Sequence, residues 1–243
     1  MQEIDGKWTI FGCEPDDPKC LHTVEEAIEY INKVGFLPFF SGDIKGFSLE
    51  ERTIAADWWG SEPSKDPWVW REVIARSGNI AYGKFFYNRA GFITREWLPI
   101  FANYRRDGYD FDALWDDEKA SWRAKKVMDM FGEGNADVEI FSNELKQMAG
   151  FGKGGEKGFD SVLTNLQMQT YLCIRDFQQR KNKKGEAYGW PIAIYCTPEH
   201  LFGRDSVAKA YAQEVAESGQ RIERRVKELF PEATQKQIER LVR

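Results

Sequence analysis

The chain is poor in the residues that usually carry catalysis and metal binding, with two histidines and four cysteines in 243 residues. Neither His22 nor His200 stands beside a plausible Ser or Cys nucleophile, which argues against a hydrolase triad. Cys13, Cys20 and His22 come nearest to a zinc set, but the tight Cys-x-x-Cys spacing and a second pair are missing, so no metal is expected. Cys13, Cys20, Cys173 and Cys196 are too sparse for a disulfide scaffold in a chain of this size and are expected as thiols in a reducing compartment. No apolar run approaches the roughly 18 to 20 residues of a membrane span, and the start MQEIDGKWTI lacks the basic head and apolar stretch of a signal peptide. A cytoplasmic protein without a membrane partner is expected. The Gly-rich stretch GFGKGGEKG contains no Walker A pattern, and no cofactor is expected.

Apolar bulk is abundant. Hydrophobic residues make up 42%, with 9 Trp and 17 Phe, enough for real cores and against global disorder. At about 150 residues per domain the length suggests two modules. A net charge of -5 argues against a generic nucleic-acid coat, yet charge is unevenly spread. Met1 to Asp66 holds 14 acidic and 6 basic residues, whereas Arg76 to Arg106 holds six Lys or Arg against Glu96 alone. After the acidic stretch Tyr109 to Glu118, Phe151 to Trp190 returns to seven basic against four acidic residues. Two basic islands are therefore separated by acid.

Capping signals divide the chain. Thr23 with Glu26 opens a helix carrying Val24, Ala27, Ile28 and Ile31 that should end near Gly35. Ser48 with Glu51 predicts a second helix through Trp58 to Gly60, and Asp66-Pro67 a third reaching Arg76. Asn79 to Phe86 reads as extended, Asn88 to Gly91 as a turn, and Phe92 and Ile93 as the return strand before Thr94 caps another helix. The order then recurs. Ala120 to Phe131 predicts one helix, Ser142 caps a second over Asn143 to Ala149, and Phe159, Val162, Leu163 and Leu166 mark a third. Leu172 with Ile174, and Ile192 with Ile194, alternate as strands around the polar stretch QQRKNKKGEAYG.

Three helices followed by a hairpin with a polar tip is the winged helix-turn-helix pattern. The expected fold is α+β and predominantly helical, with tandem winged helix-turn-helix modules over 1–108 and 109–198 and a C-terminal helical segment over 199–243. In that last part Val207, Tyr211, Val215, Ile222, Val226 and Leu229 predict one long amphipathic helix from Asp205 toward Phe230. Pro231 starts a short helix with Ile238 and Leu241. This segment is expected either to clamp a module or to mediate oligomerisation.

In a winged helix the third helix enters the major groove and the wing touches backbone. With its apolar face fixed, the 100° step places Lys157, Ser161, Thr164 and Met168 outward, suited to phosphate and base-edge contacts. Arg180, Lys181, Lys183 and Lys184 cluster in the neighbouring wing. Arg76, Lys84 and Arg89 form the other basic island, so double-stranded DNA is the expected partner. Trp58, Trp59, Trp68 and Trp70 surround that island; such aromatics could stack an unpaired base or wedge into a duplex, but core packing is the expectation. Gln167 and Gln169 straddle the passage from helix to strand. If extended there, their amides project to one side and hold one water or base; if helical, they diverge by about 200°.

The blocks EEAIEYINKVGFLPFF, WREVIARSGNIAYGKFFYNRAGFIT and FDSVLTNLQMQTYLCI, in that order, resemble the AlkZ-related proteins, winged-helix relatives of the AlkZ and YcaQ DNA glycosylases. The resemblance implies tandem winged helices and a role around DNA. Those glycosylases excise alkylated or crosslinked bases with a Gln-x-Gln or Gln-x-Asp motif. Gln167-Met168-Gln169 matches it in letters, and would make Gln167 and Gln169 catalytic, but lies in the second module rather than early in the chain. A non-catalytic DNA-binding protein of this type is expected. A glycosylase acting on cationic alkylated purines is the alternative, and a winged-helix module for protein contact is the third reading.

Overall fold

The computed structural model describes residues 2–4, 7–132 and 138–243. A small ribbon of β1 (Gln2–Ile4) and β2 (Lys7–Thr9) precedes α1 (Val24–Val34). The Thr23 hydroxyl accepts from the Glu26 N–H, and Gly35, at φ 95, ends the helix where the Trp97 ring leaves no room for a Cβ. The chain then enters β3 (Phe36–Pro38), a strand that the run FLPFF did not announce. The Ser48–Glu51 capping signal is real, since the Glu51 N–H donates to Ser48 Oγ at 3.2 Å. No α-helix follows it, contrary to expectation. Two single 3-10 turns, Glu50–Arg52 and Ala55–Asp57, flank extended Thr53, whose hydroxyl accepts from buried Trp58 Nε1 at 3.0 Å. Burying Trp58 with its N–H satisfied won over helix propagation.

α2 (Pro67–Ser77) starts at the Asp66 cap and stops at Gly78 in the left-handed region, as its caps predict. β4 (Ile80–Phe86) and β5 (Arg89–Thr94) form the first hairpin. Its turn is Tyr87-Asn88, both at positive φ, the two-residue geometry that matches strand twist. Arg89 is therefore already strand, and Thr94 closes the ladder opposite Ile80 instead of capping α3 (Leu98–Arg105). α4 (Phe111–Asp116), capped by Asp110, lies in the acidic stretch that carried no expectation.

The second series runs α5 (Trp122–Met128), β6 (Ile140–Phe141), α6 (Ser142–Met148), α7 (Phe159–Met168), β7 (Cys173–Gln178) and β8 (Ile192–Cys196). One antiparallel sheet, in the order β3-β5-β4-β7-β8-β6, collects strands from both halves. Its central joint is β4 against β7, with Tyr82 opposite Ile174. The buried core is continuous across that joint, from Ala27 and Phe36 through Tyr82 to Leu163, Tyr195 and Cys196.

The long C-terminal helix is broken. α8 (Pro198–Phe202) and α9 (Arg204–Ala208) lead through a 3-10 turn to extended Gln213, and only then does α10 (Val215–Leu229) begin, followed by α11 (Gln235–Val242). The break is held by Asn103, buried on α3, whose Nδ2 donates to Gln213 O at 3.1 Å and to Ser218 Oγ at 2.9 Å. Small Ser218 and Gly219 let α10 lie close on α3, and a Cβ at Gly219 would meet the Tyr104 ring at 2.6 Å. Arg225 donates to the carbonyls of Lys33 and Val34, and Arg105 to those of Leu241 and Val242. The segment clamps the N-terminal half. Among the described residues no helix is long and apolar enough to cross a membrane.

Contrary to expectation, the four cysteines are not all thiols. Cys13 and Cys20 are joined in a disulfide, seven residues apart in sequence, while Cys173 and Cys196 are buried free thiols facing each other across β7 and β8. The two cysteines expected as thiols near the N-terminus are instead joined in a bond that closes the loop before α1.

Candidate nucleic-acid interface

α7 is built as its periodicity requires. Phe159, Leu163 and Leu166 are buried, and Lys157 and Ser161 are exposed on the other side. Thr164 and Met168 lie between. The Thr164 hydroxyl donates to Asp160 O at 2.7 Å and accepts from Lys84 Nζ at 3.1 Å, so two residues expected to touch DNA hold each other. The Met168 carbonyl accepts from Arg105. The helix ends with Tyr171 N–H donating to Leu166 O and Thr170 N–H to Gln167 O, with Thr170 at φ 62 where glycine is usual. Arg106, buried and paired with Glu199 at 2.6 Å, donates to the Thr170 carbonyl and fixes that turn.

This ending separates the two glutamines. Gln167 is fully buried, its Nε2 donating to Leu163 O at 2.9 Å and its Oε1 accepting from the Lys84 N–H at 3.0 Å. It supplies the acceptor that the β4 backbone lacks beyond the short β4–β7 ladder. Gly83 makes room, since a Cβ there would lie 3.3 Å from Gln167 Oε1. Gln169 caps the helix and is exposed, and with Asn165 it borders a hollow of about 310 Å³ between α4, α5 and α7. The amides do not converge on one point.

The loop 179–191 between β7 and β8 is an ordered tip. Asn182 Oδ1 accepts from the N–H groups of Lys184 and Glu186, its Nδ2 donates to Glu186 Oε2 at 2.7 Å, and Lys181 bridges to Ala187. Asn182 thereby engages the only carboxylate of the loop. Arg180, Lys181, Lys183 and Lys184 are all exposed and make no ion pair among the described residues.

Sheet direction decides which other cations join this loop. Because β4 and β7 are antiparallel and meet at Tyr82 and Ile174, the β4–β5 turn and the β7–β8 loop point to opposite ends of the sheet. Arg76, at the end of α2, lies on the loop side, its Nε 2.9 Å from Asp176 Oδ1. Lys84 lies on the other side of the joint, roughly 20 Å along the strand axis from the loop at about 3.3 Å per residue. That distance exceeds a major-groove width of about 12 Å. Arg89 is exposed at the far end, where it lines a separate cleft with Lys45 and Arg240.

The four tryptophans divide. Trp58 and Trp70 are buried with satisfied N–H groups, as expected of core. Trp59 is 44% exposed and Trp68 half-buried, and Trp190, which sequence reasoning passed over, is 70% exposed at the root of the basic loop. Ring centroids run 6.0 Å from Trp59 to Trp68 and 6.1 Å from Trp68 to Trp190. The guanidinium of buried Arg71 sits between Trp68 and Phe177, 3.9 and 4.2 Å from their centroids. The available signal was a tryptophan closing an otherwise polar loop.

No curated protein and no solved structure matches the chain significantly. A family model described as AlkZ related matches residues 21–243, nearly the whole chain, and on that match the protein belongs to the AlkZ-related family.

Proposed function

We propose that the protein is a DNA-binding, non-catalytic relative of the DNA glycosylases. In this reading α5, α6 and α7 with β7 and β8 form a winged helix-turn-helix, and α1, α2, β4 and β5 form a reduced second copy joined to it through the sheet. The exposed face of α7 enters the major groove of duplex DNA and the loop 179–191 grips phosphate. The observation that carries the reading is the set Arg180, Lys181, Lys183 and Lys184, held outward on an ordered loop with no acidic partner among the described residues. Such uncompensated charge suits the phosphate backbone. The buried Gln167 supports a non-catalytic role, since an amide sealed from solvent and engaged at both its oxygen and its nitrogen is not placed to orient an attacking water.

Lys183→Glu with Lys184→Glu should weaken duplex binding across all sequences and flatten the salt slope by about one unit for each phosphate that is no longer neutralised. Unchanged affinity in a salt titration would remove the proposal and leave protein contact as the better reading.

A second reading, excision of cationic alkylated purines, is favoured by the hollow beside Gln169 and Asn165. Glutamine cannot take a proton from water at neutral pH, so only a leaving group already cationic would suit it. Release of free 7-methylguanine from alkylated duplex DNA, lost in Gln169→Ala, would make this the leading reading.

A further inference from the structure

We propose that Trp59, Trp68 and Trp190 form a stacking platform for an unpaired nucleobase of the DNA strand whose phosphates the basic loop holds. The proposal rests on the DNA-binding reading above and adds the state of the DNA that is preferred.

Three observations carry it. The rings form a row at centroid spacings of 6.0 and 6.1 Å and meet at 53° and 77°, so they touch at steep angles rather than covering one another's faces. Trp59 and Trp190 are the exposed members of that row. The row is also built rather than left over. The buried Asp66 carboxylate accepts from the Trp68 N–H at 2.8 Å and so fixes the backbone that carries the central ring. Trp59 sits at φ 56, a conformation a bulky residue adopts only when its surroundings impose it. Arg71 clamps Trp68 against Phe177 from within. Finally, Trp190 closes the same loop that carries Arg180, Lys181, Lys183 and Lys184, so ring and cations are presented together.

Charge selects the occupant. A protein surface docking on this row would have to cover or neutralise the lysines, a residue type depleted at protein interfaces. A nucleic-acid strand offers phosphate to the cations and a π-face to the rings, and aromatic stacking tolerates any base. A base inside an intact duplex has no free face, so the platform discriminates paired from unpaired DNA.

The test is fluorescence anisotropy of the full chain with two fluorescein-labelled duplexes, one fully paired and one carrying a single unpaired adenine. The native protein should bind the second more tightly. Trp190→Ala should weaken binding to the unpaired-base probe by about fivefold or more, leaving the paired probe and the salt slope unchanged, and Trp190→Phe should retain most of the preference. Trp59→Ala should act in the same direction. Lys183→Glu with Lys184→Glu should weaken both probes. Equal affinity of the native protein for the two probes, or equal losses on both in Trp190→Ala, overturns the platform while leaving duplex binding intact. Failure of the native protein to bind either probe overturns both readings.

Discussion

Gln167 and Gln169 differ in environment although two positions apart, and their substitution separates structural from chemical roles. Gln167→Ala deprives the Lys84 N–H of its acceptor within the core and leaves a cavity, which should cost about 2 to 4 kcal/mol in urea unfolding. Gln169→Ala, at an exposed cap, should stay within about 0.5 kcal/mol and leave duplex affinity unchanged. The native protein should release no 7-methylguanine above background. Equal stability losses would mean that the burial of Gln167 is wrong. Tyr82 gives a pH prediction at the same scale. Burial pushes its phenol from 10.0 to about 12, and that of Tyr87 likewise to about 12. Above about pH 10 the unfolded chain releases protons that the native state keeps, so stability is full below that pH and is lost as pH rises toward 12. For Tyr82 the shift corresponds to roughly 3 kcal/mol. The urea midpoint should fall between about pH 10 and 12, less so in Tyr82→Phe; a flat profile would contradict the burial of this hydroxyl.

Two faces of α7 make separable demands on the sequence. Leu163, buried under the helix, contributes packing, and Leu163→Ala should cost about 2 to 5 kcal/mol. Ser161 is exposed and makes no side-chain bond among the described residues, so Ser161→Ala should shift stability by no more than about 0.5 kcal/mol while altering site preference in a duplex selection. If Ser161→Ala destabilised as much as Leu163→Ala, the helix phase would be wrong. Thr164 belongs to neither class. Its hydroxyl is occupied by Lys84, so Thr164 links helix to sheet, a role that α7's own periodicity does not reveal. The C-terminal break is a similar case. The stripe from Val207 to Leu229 keeps helical spacing across Gln213, and it is the side chain of Asn103 that takes the Gln213 carbonyl out of helical use.

For the whole molecule the consequential feature is the joint between β4 and β7. It merges two hairpins into one sheet and one core, and α10 and α11 fasten their ends to α1 and α3. Cutting the chain near residue 108 would expose a strand edge in each half and open that core. Thermal unfolding of the full chain should therefore be a single transition, coincident by far-ultraviolet circular dichroism and tryptophan fluorescence. Two resolved transitions would show instead that the halves are independent modules.

What the sequence determined by itself is local. Thr23, Gly35, Asp66 and Gly78 bracket α1 and α2 as their capping chemistry requires, and the buried face of α7 and the strands of both hairpins follow from spacings of two to four residues. The basic loop was legible too, because charge on a polar tip needs no partner to be seen. The tertiary structure decided everything that depends on partners far apart in sequence. Lys84 and Gln167 are 83 positions apart, and Arg76 and Asp176 are 100 apart. Trp190 meets Trp68 only through the sheet joint, and antiparallel pairing sends Arg89 to the end opposite the loop. Periodicity fixes which face a residue takes on its own element, but the register between elements is set by burial summed over the whole core. That sum made Gln167 part of the interior and left Trp59 and Trp190 at the surface.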